Sequence, residues 1–468
     1  MTDEEIIVSE INEFNASDKR QWMLIGDKYY RVDNDILNRR ITLETEEGTI
    51  EDPTKANNKL AHGFMKNSVD EKTAYIFTKD YALDCDNEKY VEKVKEVLGK
   101  YFQYTLSKLG KEASNKGIAW LHTYIDEEGK FKTMLIPSEQ CVPIWKDNTH
   151  TELYAMIRFY VVTVYEGKEK KKVTKVEYHT PIDVSYFILQ DDTLIPDIEQ
   201  NEGGPNPHYY YGEEFRSWGR VPFIGFKNNS LELPDVKFVK TLIDDYDKSR
   251  SDVSNYIDET GNYIIVLKGY GGQNKGELVK SIKYYRTISI DDPEYGGVDT
   301  LTPDMDISAI KEHYEQTERN IVKFGGNIPK DLDKFGNNPS GVAMKYLFAG
   351  IDLKCNDLEV EFKQAFDNLV YFINVYLSET GQGNYANEKL DIIFNRDITI
   401  NETEAINNIN NSQDILSLET LIAQHPYVSD VEEELKKVLA ERLERQKEQA
   451  KMFGSDRFSQ IEGEGNEK

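Results

Sequence analysis

The period of the apolar positions changes along the chain, and the changes divide it. In the first quarter helix and strand signals mix. Asp52 to Thr73 reads as a helix leading into the apolar stretch Ala74-Tyr75-Ile76-Phe77. From Tyr90 to Ser107, Val91, Val94, Val97, Leu98, Tyr101 and Phe102 recur at helical spacing. Between Trp120 and Ile195 the period drops to two. Trp120–Ile125 and Phe131–Ile136, with a turn at Asp126–Gly129, predict a β-hairpin. Ala155–Tyr165, Val173–Tyr178 and Val184–Ile188 continue the alternation, and Asn201–Pro207 is a loop by composition. Residues 1–233 therefore read as α+β, ending in antiparallel sheet.

After Leu233 the character changes. Pro234 can open a helix, and Val236, Val239, Leu242, Ile243, Tyr246, Val253 and Ile257 carry it to about Thr260, where Gly261 stops it. A small insert follows, with a strand at Tyr263–Leu267, a glycine turn at Gly269–Gly272, a short helix at Glu277–Arg286 and a second strand at Thr287–Ile290. A loop with Pro293, Gly296 and Gly297 closes it. A second helix returns from an Asp306 N-cap to Phe324, with Ile307, Ile310, Tyr314, Thr317 and Ile321 on one face. Gly325-Gly326 ends it and a loop runs to Pro339. Ser340 caps the longest helix, whose stripe is Leu358, Phe362, Phe366, Leu369, Val370, Ile373 and Leu377. A strand at Leu390–Phe394 precedes a helical C-terminal third. There the Asn-rich stretch Asn407–Asn411 weakens helix formation. The last helix is expected to bury Val431, Leu435, Val438, Leu439 and Leu443, and the polar residues after Gly454 to form a disordered tail.

Charge narrows the function. Against 57 basic residues stand 84 acidic ones, a net charge of −27. A protein that grips DNA by neutralising phosphates needs the opposite balance. A wall past which DNA must slide does not, because repulsion keeps a polyanion from adhering. The one basic run, Lys168–Lys172, sits between strands and reads as a solvated hairpin tip. No apolar run approaches the ~18 residues of a membrane helix, and the acidic opening Met1–Glu5 lacks the order of a secretory signal. Cys85, Cys141 and Cys355 are widely spaced and odd in number, which fits a reducing cytoplasm.

Catalytic motifs are missing. Around Gly269–Gly276, Lys275 is followed by Gly276, which is not the order of a phosphate-cradling loop. The seven histidines show no metal-ligand spacing, and Asp84-Cys85-Asp86-Asn87 has Lys89 and Lys95 where a calcium loop needs Gly and Glu. These readings point away from an enzyme and from any cofactor. The rival reading is a metal-dependent enzyme acting on nucleotides or phosphoesters through dispersed Asp and Glu residues.

The order of elements, with several landmarks, resembles the portal proteins of long-tailed bacteriophages. The landmarks are Trp218-Gly219-Arg220-Val221-Pro222-Phe223-Ile224-Gly225-Phe226-Lys227-Asn228-Asn229, then Asn262–Leu267, Phe335–Lys345 and Asp391–Ile398. Ser417–Leu421 and Val428-Ser429-Asp430 complete them, and together they span about residues 50 to 450. The resemblance implies the portal fold. Residues 1–233 and the strand region 381–400 would be the wing, 234–260 and 304–325 the antiparallel stem helices, and 261–303 the α/β clip. The tunnel loop would be 326–339, the long channel-to-wing helix 340–380, and the crown 401–453, with the tail at 454–468.

It also implies a role without catalysis: a ring, usually dodecameric, at the capsid vertex through which double-stranded DNA is packaged and ejected. The implied partners are the terminase large subunit, the head-tail connector or adaptor, scaffold and the major capsid protein, with no membrane. The implied location is the virion, with assembly in the host cytoplasm. A portal-like adaptor of a defective phage particle would share the same signature. Lys330, Lys334, Asn337 and Asn338 would be the tunnel-loop contacts to passing DNA, with Lys345 at the start of the long helix. Tyr263, Ile265, Leu267, Ile288 and Ile290 would form the clip interface between neighbouring subunits, since two strands and a helix cannot bury a core alone. The acidic residues Asp244, Asp245, Asp247 and Asp252 could line the channel or face outward.

Overall fold

The computed structural model describes residues 2–45, 48–52, 55–166, 169–201, 204–212, 214–259, 264–268, 276, 297–301, 306–329, 341–396, 402–425, 427–428 and 431–463. The chain divides into two units, residues 1–329 with 350–397, and residues 330–349 with 398–468.

Helix boundaries in the first unit follow short-range chemistry. α1 (Asp3–Ala16) begins in a reciprocal box in which the Thr2 side chain accepts from the Glu5 N–H and the Glu5 carboxylate from the Thr2 N–H. Ser17 then caps α2 (Asp18–Tyr30). β1 (Thr42–Thr45) and β2 (Gly48–Glu51) pair as an antiparallel ribbon. α3 occupies Phe64–Phe77, so the helix expected from Asp52 begins only at Phe64. The preceding residues stay extended because side chains of a later helix take their N–H groups. β3 (Ala82–Asp84), α4 (Glu88–Leu98) and α5 (Phe102–Lys116) follow. The helical spacing of 90–107 is real but belongs to two helices. Gly99 divides them at φ +72°, a conformation that other residues enter at a cost.

The period-two region forms antiparallel sheet, as its alternation predicts. β4 (Ile118–Ile125) and β5 (Phe131–Ile136) make the expected hairpin. β6 (Cys141–Trp145), β7 (Leu153–Glu166), β8 (Glu169–His179), β9 (Asp183–Gln190) and β10 (Thr193–Pro196) build a second sheet in the order β10-β9-β8-β7-β6. β11 (Asn206–Pro207) adds to β9, within the stretch read as loop. β12 (Tyr209–Tyr211) pairs β13 (Glu214–Arg216), and β14 (Phe223–Lys227) joins β4. The main core gathers Trp120, Ile136, Met156, Val176 and Phe223 with Ile7 and Ile11 of α1.

A 3₁₀ turn at Asp235–Phe238 leads into α6 (Lys240–Glu259). Beyond it β15 (Ile264–Lys268) pairs with β16 (Gly297–Leu301), which begins in the expected closing loop, while the helix expected at Glu277–Arg286 and the strand expected at Thr287–Ile290 lie outside the described residues. α7 (Ile307–Phe324) starts at Asp306, whose carboxylate accepts from the N–H groups of Ser308 and Ala309. α8 (Gly341–Glu379) is the longest helix, and the seven stripe residues of the sequence reading are all buried. β17 (Asp391–Ile393) pairs antiparallel with β3.

The second unit takes the start of α8 together with α9 (Glu402–Asn411), α10 (Leu418–Ala423) and α11 (Val431–Gly463). Three expectations are corrected here. The Asn-rich stretch is helical, and Ile406 and Ile409, both half-buried, share one of its faces. α11 continues past Gly454 to Gly463, where a disordered tail was expected; one glycine costs a helix only about 1 kcal/mol. Leu439 and Leu443 are exposed, while Val431, Leu435 and Val438 are half-buried. Among the described residues no helix is long and apolar enough to cross a membrane.

Candidate nucleic-acid conduit site

The helix pair α6–α7 interrupts the α+β body. Tyr246 meets Tyr314 with ring centroids 6.0 Å apart, and the Tyr314 hydroxyl donates to the Ser249 carbonyl at 3.0 Å. Ile321, late in α7, joins Ile243, early in α6, and Val239 just before it. The two helices therefore run antiparallel. Their shared core also takes Met65 and Val69 of α3 and Tyr29 of α2.

Asp244, Asp245, Asp247 and Asp252 of α6 have separate fates. Asp244 accepts from the Tyr29 hydroxyl and from Lys240, and Asp245 pairs with His313 at 3.1 Å. Asp252 pairs with Arg39. Asp247 is fully buried and accepts from Asn34 Nδ2 at 2.5 Å, the His62 N–H at 3.0 Å and His62 Nδ1 at 2.7 Å. It neither lines a channel nor faces outward. Its role is to hold the segment before α3. The Asn58 N–H donates to Asn255, the Leu60 N–H to Ser251 and the His62 N–H to Asp247. Two extended residues advance about 6.6 Å and four helical residues about 6 Å, so alternate N–H groups of the strap meet every fourth residue of α6. These bonds keep the segment from becoming helix.

Where the helix pair meets the body, a charged cluster is buried. Asp235, at the head of the turn into α6, lies 3.3 Å from Lys72 of α3 and 2.9 Å from Lys354 of α8. Asn228 Nδ2 donates to Asp235 at 2.9 Å, and Lys72 donates to Asn228 Oδ1 at 2.5 Å. Lys354 also donates to the Gly325 carbonyl at 2.9 Å, the position where a helix C-terminus favours a cation. Ser68 donates to Asn327 at 2.7 Å, and the Ile328 N–H donates to Glu71. Both ends of the helix pair are thus tied to α3 and α8. Burial alone would push the Asp235 carboxyl up, but the Lys354 and Lys72 ammonium groups outweigh it and hold it near about 2. The same burial pulls Lys72 below the usual lysine range.

Sequence reasoning missed this cluster, although a signal exists. Lys72 stands at helical spacing with Met65, Val69 and Ile76, and Lys354 with Leu347, Ile351 and Leu358, so each lysine interrupts an apolar stripe. Of the expected DNA contacts, Lys330, Lys334, Asn337 and Asn338 lie outside the described residues. Lys345 lies in the first turns of α8. Of the expected clip residues, Tyr263, Ile288 and Ile290 lie outside the described residues, while Ile265 and Leu267 pair in β15 with Thr300 and Val298 of the same chain. Among the described residues no group of three or more His, Cys, Asp or Glu side chains is placed to hold a metal ion.

Comparison with known proteins covers the same region. A family model described as phage portal protein, SPP1 Gp6-like, matches residues 16–448. The portal protein of Bacillus phage SPP1 is 32% identical over 420 residues, which are 89% of this chain and 82% of that protein. The portal protein of Clostridium phage phiCD119 is 31% identical over 439 residues, 91% of this chain and 93% of its own length. The match runs from α2 into α11 and takes in the helix pair, its insert and the buried cluster that anchors them; the chain belongs to the SPP1 Gp6-like family of phage portal proteins.

Proposed function

We propose that copies of this chain form a dodecameric ring at one capsid vertex, and that double-stranded DNA enters and leaves the head through its centre. The observation that carries this reading is the antiparallel α6–α7 pair, which leaves the α+β body, bears the β15–β16 insert and returns. In a ring, twelve such pairs make the channel wall. The insert at 261–303 then projects outward for the packaging motor, the terminase large subunit, and later for the head-tail connector. Residues 401–453 face the capsid interior, and scaffold and the major capsid protein surround the ring. The work is geometric and electrostatic rather than catalytic, since a net charge of −27 gives DNA little to adhere to. Negative-stain microscopy with native mass spectrometry tests the ring: particles with a central hole and about a dozen subunits are expected. A monomer or dimer that persists when scaffold protein is added rejects it.

Lys330 and Lys334 would meet passing phosphates in the loop 326–339, aided by Asn337 and Asn338 and more weakly by Lys345. The Lys330→Glu, Lys334→Glu double variant is expected to assemble normally and package several-fold less DNA per head. Normal packaging by that variant ends the contact idea.

A further inference from the structure

The β1–β2 ribbon is two-stranded. Two four-residue strands pair only with each other, with no third strand on either edge among the described residues. Leu43 stands directly opposite Ile50, which puts both on one face, and they are 47% and 49% exposed. A lone two-stranded ribbon is marginal in water, and an exposed apolar cross-strand pair adds nothing to it there. Yet the base is firmly held. The Asp52 N–H donates to the Ile41 carbonyl at 2.9 Å, Asn57 donates to the Arg39 carbonyl at 3.3 Å, and Arg39 pairs with Asp252 of α6. The ribbon is anchored and its apolar face is left uncovered.

Charge indicates what covers it. Among the described residues of the ribbon, Glu44 and Glu51 are exposed and acidic, and none is basic. In a chain this acidic, oppositely charged surfaces are few. One lies at the start of α5, where residues 93–111 hold five lysines and one glutamate. There Tyr101 and Tyr104 are 68% and 61% exposed, with Lys100 Nζ 4.8 Å and Lys108 Nζ 4.4 Å from their ring centres. Exposed tyrosines beside lysines offer apolar area and positive charge together, the complement of an acidic ribbon with an apolar pair. Both surfaces are exposed in one copy, so they do not cover each other within it.

We propose that the β1–β2 ribbon is a clasp that docks on the Lys100–Tyr101–Tyr104–Lys108 face of a second copy of this chain. Two unlike surfaces on one subunit allow a head-to-tail contact, and such a contact closes into a ring when the rotation between neighbours closes. The inference therefore rests on the ring reading and assigns one of the ring's subunit contacts.

Charge reversal with rescue tests it. Glu44→Lys with Glu51→Lys, and separately Lys100→Glu with Lys108→Glu, are each expected to raise the protein concentration needed for ring assembly by about tenfold. Monomer circular dichroism and melting should stay unchanged, because all four positions are exposed. The quadruple variant is expected to return close to the unsubstituted chain. Either pair assembling normally, or a quadruple variant no better than the worse pair, overturns the clasp while leaving the ring intact. Strong hydrogen-exchange protection of residues 42–51 in the monomer also overturns it, because the chain's own residues would then cover the ribbon. An unsubstituted chain that never assembles overturns the ring reading and the clasp with it.

Discussion

Asp235→Ala is expected to destabilise the monomer by about 3–5 kcal/mol, because it removes the carboxylate that pairs with both the buried Lys72 and the part-buried Lys354. In the folded protein Lys72 is 1% exposed, and Asp235 is 5%. Losing the carboxylate leaves Lys72 and Lys354 facing each other without a counter-charge, and Asn228 Nδ2 keeps only the Leu233 carbonyl as acceptor. Lys72→Met separates this account from a general packing effect. It removes the lysine that burial already disfavours and keeps the Lys354–Asp235 pair at 2.9 Å, so its cost should be well under half that of Asp235→Ala. Urea titrations of the monomer measure both. Equal losses for the two variants would mean that shape, not charge, sets the energy of the junction. The consequence for function follows from position. The cluster joins the entry of α6, the exit of α7 and the body, so a loosened junction lets the helix pair tilt against the sheets. Rings of Asp235→Ala should be fewer and less uniform in diameter.

Much of this architecture is legible in the sequence where one local rule dominates. From Leu358 to Leu377 the α8 stripe follows a 3.6 period without interruption, and all seven residues are buried. The β4–β5 hairpin and the Asp306 cap are equally local. Reading fails where distant groups decide. Asp52–His62 has helix-compatible residues, yet Asn255, Ser251 and Asp247 claim its N–H groups across nearly two hundred positions of sequence. Lys72, Lys354 and Asp247 are visible as polar residues at apolar positions, but nothing in their spacing names their partners. The same holds for α4 and α5, where periodicity continues across Gly99 although the backbone does not. The expected tunnel-loop contacts Lys330 and Lys334 rest on family resemblance and on the packaging test, since they lie outside the described residues.

Acid should weaken the monomer well above the pH at which its carboxylates protonate. His122 of β4 donates through Nδ1 to the Pro222 carbonyl at 2.9 Å and stacks on Phe223 at 4.5 Å, where the three-stranded sheet meets the larger one. The His179 ring of β8 lies 5.3 Å away, and Glu177 and Arg158 pair behind it at 3.2 Å. Burial first, and the neighbouring His179 ring second, pull His122 down to about 3, and the same two causes pull His208 down to about 4. A histidine with a lowered folded pKa binds its proton more readily in the unfolded chain. Its contribution is therefore complete above 6.5 and drains away as pH falls from there toward the folded value. At pH 5 each histidine has lost about 2 kcal/mol, so the pair costs about 4 kcal/mol relative to pH 7.5. Glu177, Glu232 and Asp235 are held near about 2 and add their own losses only below about pH 4.5, so they do not account for a fall that begins at 6.5. Urea midpoints of the monomer at pH 7.5, 6 and 5 should decline stepwise. The His122→Asn, His208→Gln variant, which keeps a donor at one site and an acceptor at the other, should hold level over that range. A wild-type midpoint that stays flat to pH 5 would mean that both rings are protonated as easily in the fold as out of it, and the seam between the sheets would then have to be open to water.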